Sequence, residues 1–274
     1  MPASAVANLR VGIGGFGAIG RQVAAALDRG IPGMRLAAVS ARDKAKGEEH
    51  VARLSAQVPV VALAELAALA DIVVECAPAA VFDEVANAAV EAGRIFMPLS
   101  VGALLPRPHL VERAKQTGAR IIVPSGALLG LDAVRAAAEG TIHSVRMITR
   151  KPPKSLAGAP YLAANNIDLD AIGEPTRIFE GTAREGAAGF PANVNVAAAL
   201  SLAGIGPDET RLEIWADPSL TRNTHQILVE ADSACFELKI KNVPSEENPR
   251  TGKITALSVI AALRGLSSTL LVGT

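Results

Sequence analysis

Five glycines fall within nine residues, Gly12 to Gly20, of the stretch VGIGGFGAIGRQVAAAL that runs from Val11 to Leu27. An apolar run precedes them and an Ala-rich helical pattern follows, so the stretch reads as strand, turn and helix. Within it, Gly15-Phe-Gly17-Ala-Ile-Gly20 is a G-x-G-x-x-G motif. In that context each glycine has a mechanical use: Gly15 permits the tight turn, Gly17 lets a pyrophosphate approach the backbone, and Gly20 lets helix and strand pack closely. The helix N-terminus then offers free N–H groups and a partial positive charge to phosphates. Gly15, Gly17, Ala18, Ile19 and Gly20 are therefore the expected nucleotide contacts. The hexapeptide alone is weak evidence, but standing first in a series of strands and helices it points to dinucleotide binding.

That series runs from Leu9 to Ser125. The apolar runs LRVGI, MRLAAVS, PVVAL, DIVVECA, RIFMPLS and ARIIVPS are continuous rather than alternating, as in strands buried on both faces of a parallel sheet. Arg21 to Arg29, Pro78 to Ala92 and Leu110 to Thr117 supply crossover helices. Past GLDAVRAAAEG the order changes to strand after strand, in TIHSVRMITRKPP, TRIFEGTAREG, TRLEIWADP, THQILVEA and CFELKIK, with one helix near Asn195 to Ala203. The expected fold class is α/β: an N-terminal Rossmann domain with a doubly wound parallel sheet over residues 1–127, then a smaller α+β domain with a mainly antiparallel sheet over 128–253. The helical segment within 254–274 is expected to pack back on the first domain.

At the end of the second strand, where a Rossmann domain carries the acid that binds the ribose of NAD, the chain reads Ser40-Ala41-Arg42-Asp43. With Ala41 at that place the acid is missing and Arg42 could meet the 2′-phosphate of NADP; with Asp43 there, NAD is favoured. In the second half, Asn193 and Asn195 of GFPANVNVAAALSLAG lie at a helix mouth, placed either to present amides to a ligand or simply to cap the helix. ADPSLTRNTHQI brings Asp217, Asn223 and His225 together in sequence. A histidine titrates near neutrality and suits proton transfer, although one beside a strand is often structural. His50, His109 and His143 lie in contexts that suggest no role. Cys76, ending a strand, reads as a small packing residue, and Ser125-Gly126-Ala127 as a segment lining the cofactor cleft.

With 27 basic and 27 acidic residues and no basic stripe, neither nucleic acid nor an anionic membrane is an evident partner, and a small molecule is expected. Cys76 and Cys235 lie far apart with no CxxC spacing, so no metal site is expected and a reducing compartment is. The first residues lack the pattern of an export signal, and no apolar run has the roughly 20 residues of a membrane span. A cytoplasmic protein is expected.

GGFGAIG, VVECA, PSGALLGLDA, TRKPP, FPANVNVAAALSLAG, ADP…NTH and NVPSEENPRTG together resemble the L-aspartate dehydrogenase family, over nearly the whole chain. The resemblance implies a homodimeric enzyme of Rossmann plus α/β substrate domain that uses NAD or NADP. It would oxidise L-aspartate to iminoaspartate, which hydrolyses to oxaloacetate and ammonia or feeds NAD biosynthesis. It places the catalytic histidine at His225 and further nucleotide contacts at Ala127 and Asn193. The double leucine of SGALLGLDA departs from the family's usual smaller residue. Partners for the two substrate carboxylates are sought among Lys151, Asn195 and Thr251, with Arg150 the alternative to Lys151. Rival readings are a related reductase, homoserine dehydrogenase or dihydrodipicolinate reductase, though the latter's paired-histidine signature is absent, and a catalytically silent nucleotide-binding regulator.

Overall fold

Each glycine before the turn has a packing reason as well as a conformational one. In a computed structural model that describes residues 8–248 and 251–273, strand β1 (Leu9–Gly14) alternates two faces. Val11 and Ile13 face a cluster that contains Val23 and Leu27 of the helix Ala18–Arg29 and Val259 and Leu263 of the helix Ile254–Ser267. Gly12 and Gly14 face the other side, where an added Cβ would lie 3.0 Å from Ala70 and 3.4 Å from Leu66 and Val85. Both faces of the sheet are thus covered, which is why its strands carry no polar alternation.

β1 pairs in parallel with β2 (Met34–Ser40) and β3 (Ile72–Glu75); β4 (Ile95–Pro98) and β5 (Arg120–Ile121) extend the sheet in the order β2-β1-β3-β4-β5. The expected strand PVVAL is reduced to a single parallel bridge of Val60 to Val39, flanked by hydrogen bonds Val39 N to Pro59 O at 3.1 Å and Val61 N to Val39 O at 2.9 Å. Counting that bridge as the edge strand restores the Rossmann order. Pro59 and an exposed flank leave that edge little to bury, so pairing stops after one residue. The crossover helices include Lys44–Val51, Phe82–Glu91 and Pro108–Thr117.

A second sheet is built from β6 (Ile142–Lys151), β7 (Thr176–Thr182), β8 (Arg211–Ala216), β9 (Thr224–Ala231) and β10 (Cys235–Lys241), in the order β10-β9-β6-β8-β7. All its pairings are antiparallel except β6 with β8. One face buries Val145, Met147, Ile214, Ile227 and Val229 against Phe190, Val194, Ala197 and Leu200. The opposite face carries Arg146, bound to Glu213, and Arg150, whose guanidinium stacks 4.4 Å from the Trp215 ring centroid. TRIFEGTAREG is not one strand: a capping box, with Thr182 accepting from Glu185 N and Glu185 from Thr182 N, ends β7 and starts the helix Ala183–Gly189.

The chain divides into two compact units, residues 1–100, 106–124 and 256–271 against 101–105, 125–255 and 272–274. This differs from the boundary expected at 127. Asn242 Nδ2 donates to Ala127 O at 3.0 Å and Leu128 enters the second core, which draws Ser125–Ala127 into the second unit. That unit is about as large as the first rather than smaller. Among the described residues no helix is long and apolar enough to cross a membrane.

Candidate active site

The turn after β1 has the shape its sequence suggests. Gly15 has φ +103° and its N–H donates to Ser40 O, while a Cβ there would meet the Ala77 N and the Cys76 carbonyl at 2.6 Å. Gly20 lies against Gly15 O and Ile13. Gly17 differs from both: it is the N-cap of the helix Ala18–Arg29, no side chain caps that end, and a Cβ on it would meet nothing within 4 Å. The first N–H groups of the helix therefore open onto free space, a cradle that a side chain at 17 would fill and an anion fits.

β2 ends at Ser40, so Ala41 follows the strand where the ribose acid is usual. Asp43 is committed elsewhere, since its carboxylate caps the helix Lys44–Val51 by accepting from Lys46 N at 3.2 Å. Arg42 is exposed and makes no hydrogen bond or ion pair among the described residues.

At the end of β3 stands a group the sequence reading passed over. Glu75 is fully buried, and its carboxylate accepts from Ala77 N, Leu99 N, Ser100 N and Ser100 Oγ at 2.9–3.2 Å. It ties the loops after β3 and β4 together. Burial nevertheless raises its pKa above the ordinary glutamate value, the four donors offsetting only part of the desolvation. Enclosure and this neighbouring charge push the Cys76 thiol well up, so Cys76 is a poor nucleophile, in keeping with a packing role.

In the second unit, the covered face of the sheet turns polar at one end. Val145, Met147, Thr149 and Lys151 alternate along β6 on that face, and His225 of β9 stands opposite Thr149 in register. Thr149 Oγ1 and His225 Nδ1 are 3.1 Å apart. Lys151 Nζ donates to Asn193 O at 3.0 Å and Asn193 Oδ1 at 3.2 Å. Lys151, His225 and Asn193 are thus brought together, while Arg150 lies on the opposite face, which separates the two candidates that sequence left paired.

Electrostatics follow from burial. His225 is 3% exposed, and desolvation, with the charge of Lys151 second, lowers its pKa to about 3. The imidazole is neutral throughout the neutral range, unlike the near-neutral titration expected of an ordinary histidine. Desolvation alone lowers Lys151 to about 8.

Neither asparagine caps the helix Asn195–Ala203, whose N-cap is Val194. Asn195 Oδ1 accepts from Gly102 N at 3.0 Å, which fixes the amide and turns its Nδ2 away from that contact. Thr251 stands apart: its backbone binds Ser245 and Asn248, and no hydrogen bond or ion pair joins it to the Lys151 group among the described residues. Nearby, Asn242 is buried with Oδ1 unpartnered, 3.1 Å from where a Cβ at Gly252 would sit.

L-aspartate dehydrogenase of Bradyrhizobium diazoefficiens is 56% identical over 271 residues, spanning 99% of this chain and 96% of its own. L-aspartate dehydrogenase 3 of Bordetella bronchiseptica is 54% identical, spanning 97% and 98%. The chain belongs to the L-aspartate dehydrogenase family. Residues 132–266 match the model of the aspartate dehydrogenase C-terminal domain, and residues 15–124 that of the homoserine dehydrogenase NAD-binding domain. The crystal structure of aspartate dehydrogenase from Thermotoga maritima, 24% identical, shares the fold over 97% of this chain and all of its own, with a TM-score of 0.70. Like its family, the chain is an oxidoreductase that uses NAD or NADP.

Proposed function

We propose that the protein oxidises L-aspartate to iminoaspartate with NAD or NADP, and that water then releases oxaloacetate and ammonia. The observation that carries this reading is the 56% identity, end to end, with an L-aspartate dehydrogenase. The buried Lys151–Asn193–His225 group supports it chemically, since oxidation of an amino acid needs groups that hold the substrate and exchange protons with it.

In this reading the nucleotide pyrophosphate lies on Gly15, Gly17, Ala18, Ile19 and Gly20, with Arg42 beside the ribose and Ala127 and Asn193 as further contacts. The bound nicotinamide supplies the acceptor for the hydrogen that leaves the substrate Cα. The protein's part is to orient and to move protons. Asn195, its oxygen held by Gly102, points Nδ2 at a substrate carboxylate. With Thr149 Oγ1 taken as acceptor of the 3.1 Å contact, His225 Nδ1 carries the proton in this reading and Nε2 keeps a lone pair, able to orient the water that attacks the imine. Exclusion of bulk water by the apolar face below keeps these contacts strong. The working form is a homodimer in the cytoplasm.

The test follows NAD(P)H absorbance with L-aspartate and each oxidised nucleotide, and with oxaloacetate, ammonia and each reduced one. The expected result is turnover in both directions. Absence of both would refute the reading.

A further inference from the structure

We propose that Lys151 is a catalytic residue: its neutral amine takes the proton from the α-ammonium of L-aspartate, freeing the nitrogen lone pair that the oxidation needs. This deepens the proposed function and rests on it. The step balances: an N–H bond of the ammonium breaks, an N–H bond to Nζ forms, and the lone pair left on nitrogen becomes the second bond of the C=N as hydrogen leaves Cα with its electron pair for the nicotinamide.

The geometry sets Lys151 apart from an ordinary carboxylate-binding lysine. Lys151 is buried on the face of β6 that also carries Val145 and Met147, and its Nζ donates to two neutral acceptors, both on Asn193. No carboxylate lies within ion-pair distance of it among the described residues. The titratable group on the same face of the neighbouring strand is His225 of β9, which stands opposite Thr149 and feels the charge of Lys151. From the side of β8, Asp217 takes the Lys151 carbonyl through its backbone N–H, but its carboxylate accepts from Ser219 N and Oγ and lies 4.0 Å from Arg150. A buried ammonium with neutral partners gives up its proton readily, and burial here brings Lys151 to about 8, within reach of the neutral amine at working pH. His225, by contrast, is too weak a base to compete for a proton held by an ammonium.

The experiment measures kcat, KM for L-aspartate and the pH dependence of kcat/KM at saturating nucleotide for the wild type, Lys151→Arg and Asn193→Asp. In the wild type, kcat/KM should rise through a limb near pH 8. Arginine keeps the charge but holds its proton at any working pH. Lys151→Arg should therefore lose kcat by ~10²–10⁴-fold, with KM changed only a few-fold and the limb gone. A carboxylate-binding lysine would behave the other way, with kcat retained and KM restored by arginine, and that result overturns the proposal. Asn193→Asp, nearly isosteric, guards against a misfolded arginine variant: its carboxylate would hold the proton on Nζ and move the limb to higher pH, whereas an unmoved limb in that folded variant overturns the proposal. Absence of L-aspartate turnover by the wild type, by contrast, would defeat the proposed function itself and this inference with it.

Discussion

Replacing Gly15 and Gly17 separately by alanine should split stability from nucleotide binding, because the two glycines of one turn are required for different reasons. At Gly15 the backbone has φ +103°, and an added methyl would lie 2.6 Å from backbone atoms of Cys76 and Ala77. The strained dihedral costs ~1–3 kcal/mol, and relieving the overlap costs about as much again. A loss of ~2–6 kcal/mol is a large part of a domain's stability. At Gly17 the dihedrals, φ −80° and ψ −162°, suit alanine, and the methyl meets nothing within 4 Å. A poorer N-cap costs ~0.5–1 kcal/mol, while the stiffer unfolded chain returns ~0.4–1 kcal/mol, so the net change in the free protein is near zero. Yet that methyl stands over the open N–H groups. Displacing a phosphate from one charge-assisted hydrogen bond costs ~1.5–3 kcal/mol, which weakens Kd at least tenfold. Urea unfolding of the free protein and calorimetric titration with NAD and NADP measure the two effects. A Gly17→Ala protein that is destabilised but binds both nucleotides normally would refute the argument.

Other expectations follow from the same geometry. Arg42→Ala should weaken NADP at least tenfold and NAD hardly at all, read by the same titration; equal losses would remove Arg42 from the ribose site. His225→Asn should lower kcat by ~10²-fold or more without changing nucleotide Kd, and because the wild-type imidazole sits near pKa 3, no limb near pH 6 should be present to lose. Asp71, bound by the Arg10 guanidinium and backbone N–H, has its pKa lowered from 3.8 to about 2, so its contribution is present above pH ~4 and disappears as the pH falls toward 2. With both side chains about a third exposed, solvent screening reduces that contribution to about 1 kcal/mol, and Asp71→Asn should remove it at pH 7 but change nothing at pH 2 in acid unfolding.

The sequence exposed the strands of the first sheet because double burial leaves uninterrupted apolar runs, and it exposed the nucleotide turn because few uses need glycine at those spacings. PVVAL misled for the same reason: apolarity marks a strand but says nothing of how many residues pair, and Val60 pairs once. The box Thr182-x-x-Glu185 was readable as a helix start, yet the β-rich residues before it dominated. Within the candidate site, Lys151 and Thr149 share parity with Val145 and Met147, which alone separates Lys151 from Arg150; the partner strand's register, needed to bring His225 opposite Thr149, is a long-range fact no local pattern holds. Glu75 was illegible because a carboxylate ending a buried strand reads as a surface turn until Leu99 and Ser100 fold over it.

Trp215, the one tryptophan in the chain, lies on β8 under Arg150 with its indole N–H on Glu213 at 2.8 Å. Emission from that single indole therefore reports on the second unit alone, whereas far-ultraviolet circular dichroism sums over every helix in the molecule. A titration followed by both signals records the melting of the mixed sheet separately from that of the chain as a whole. Because Trp215 pairs with Arg150 across β6 and β8, one residue from Lys151, a shift in its emission maximum when L-aspartate is added would be an optical signal of occupancy that needs no turnover.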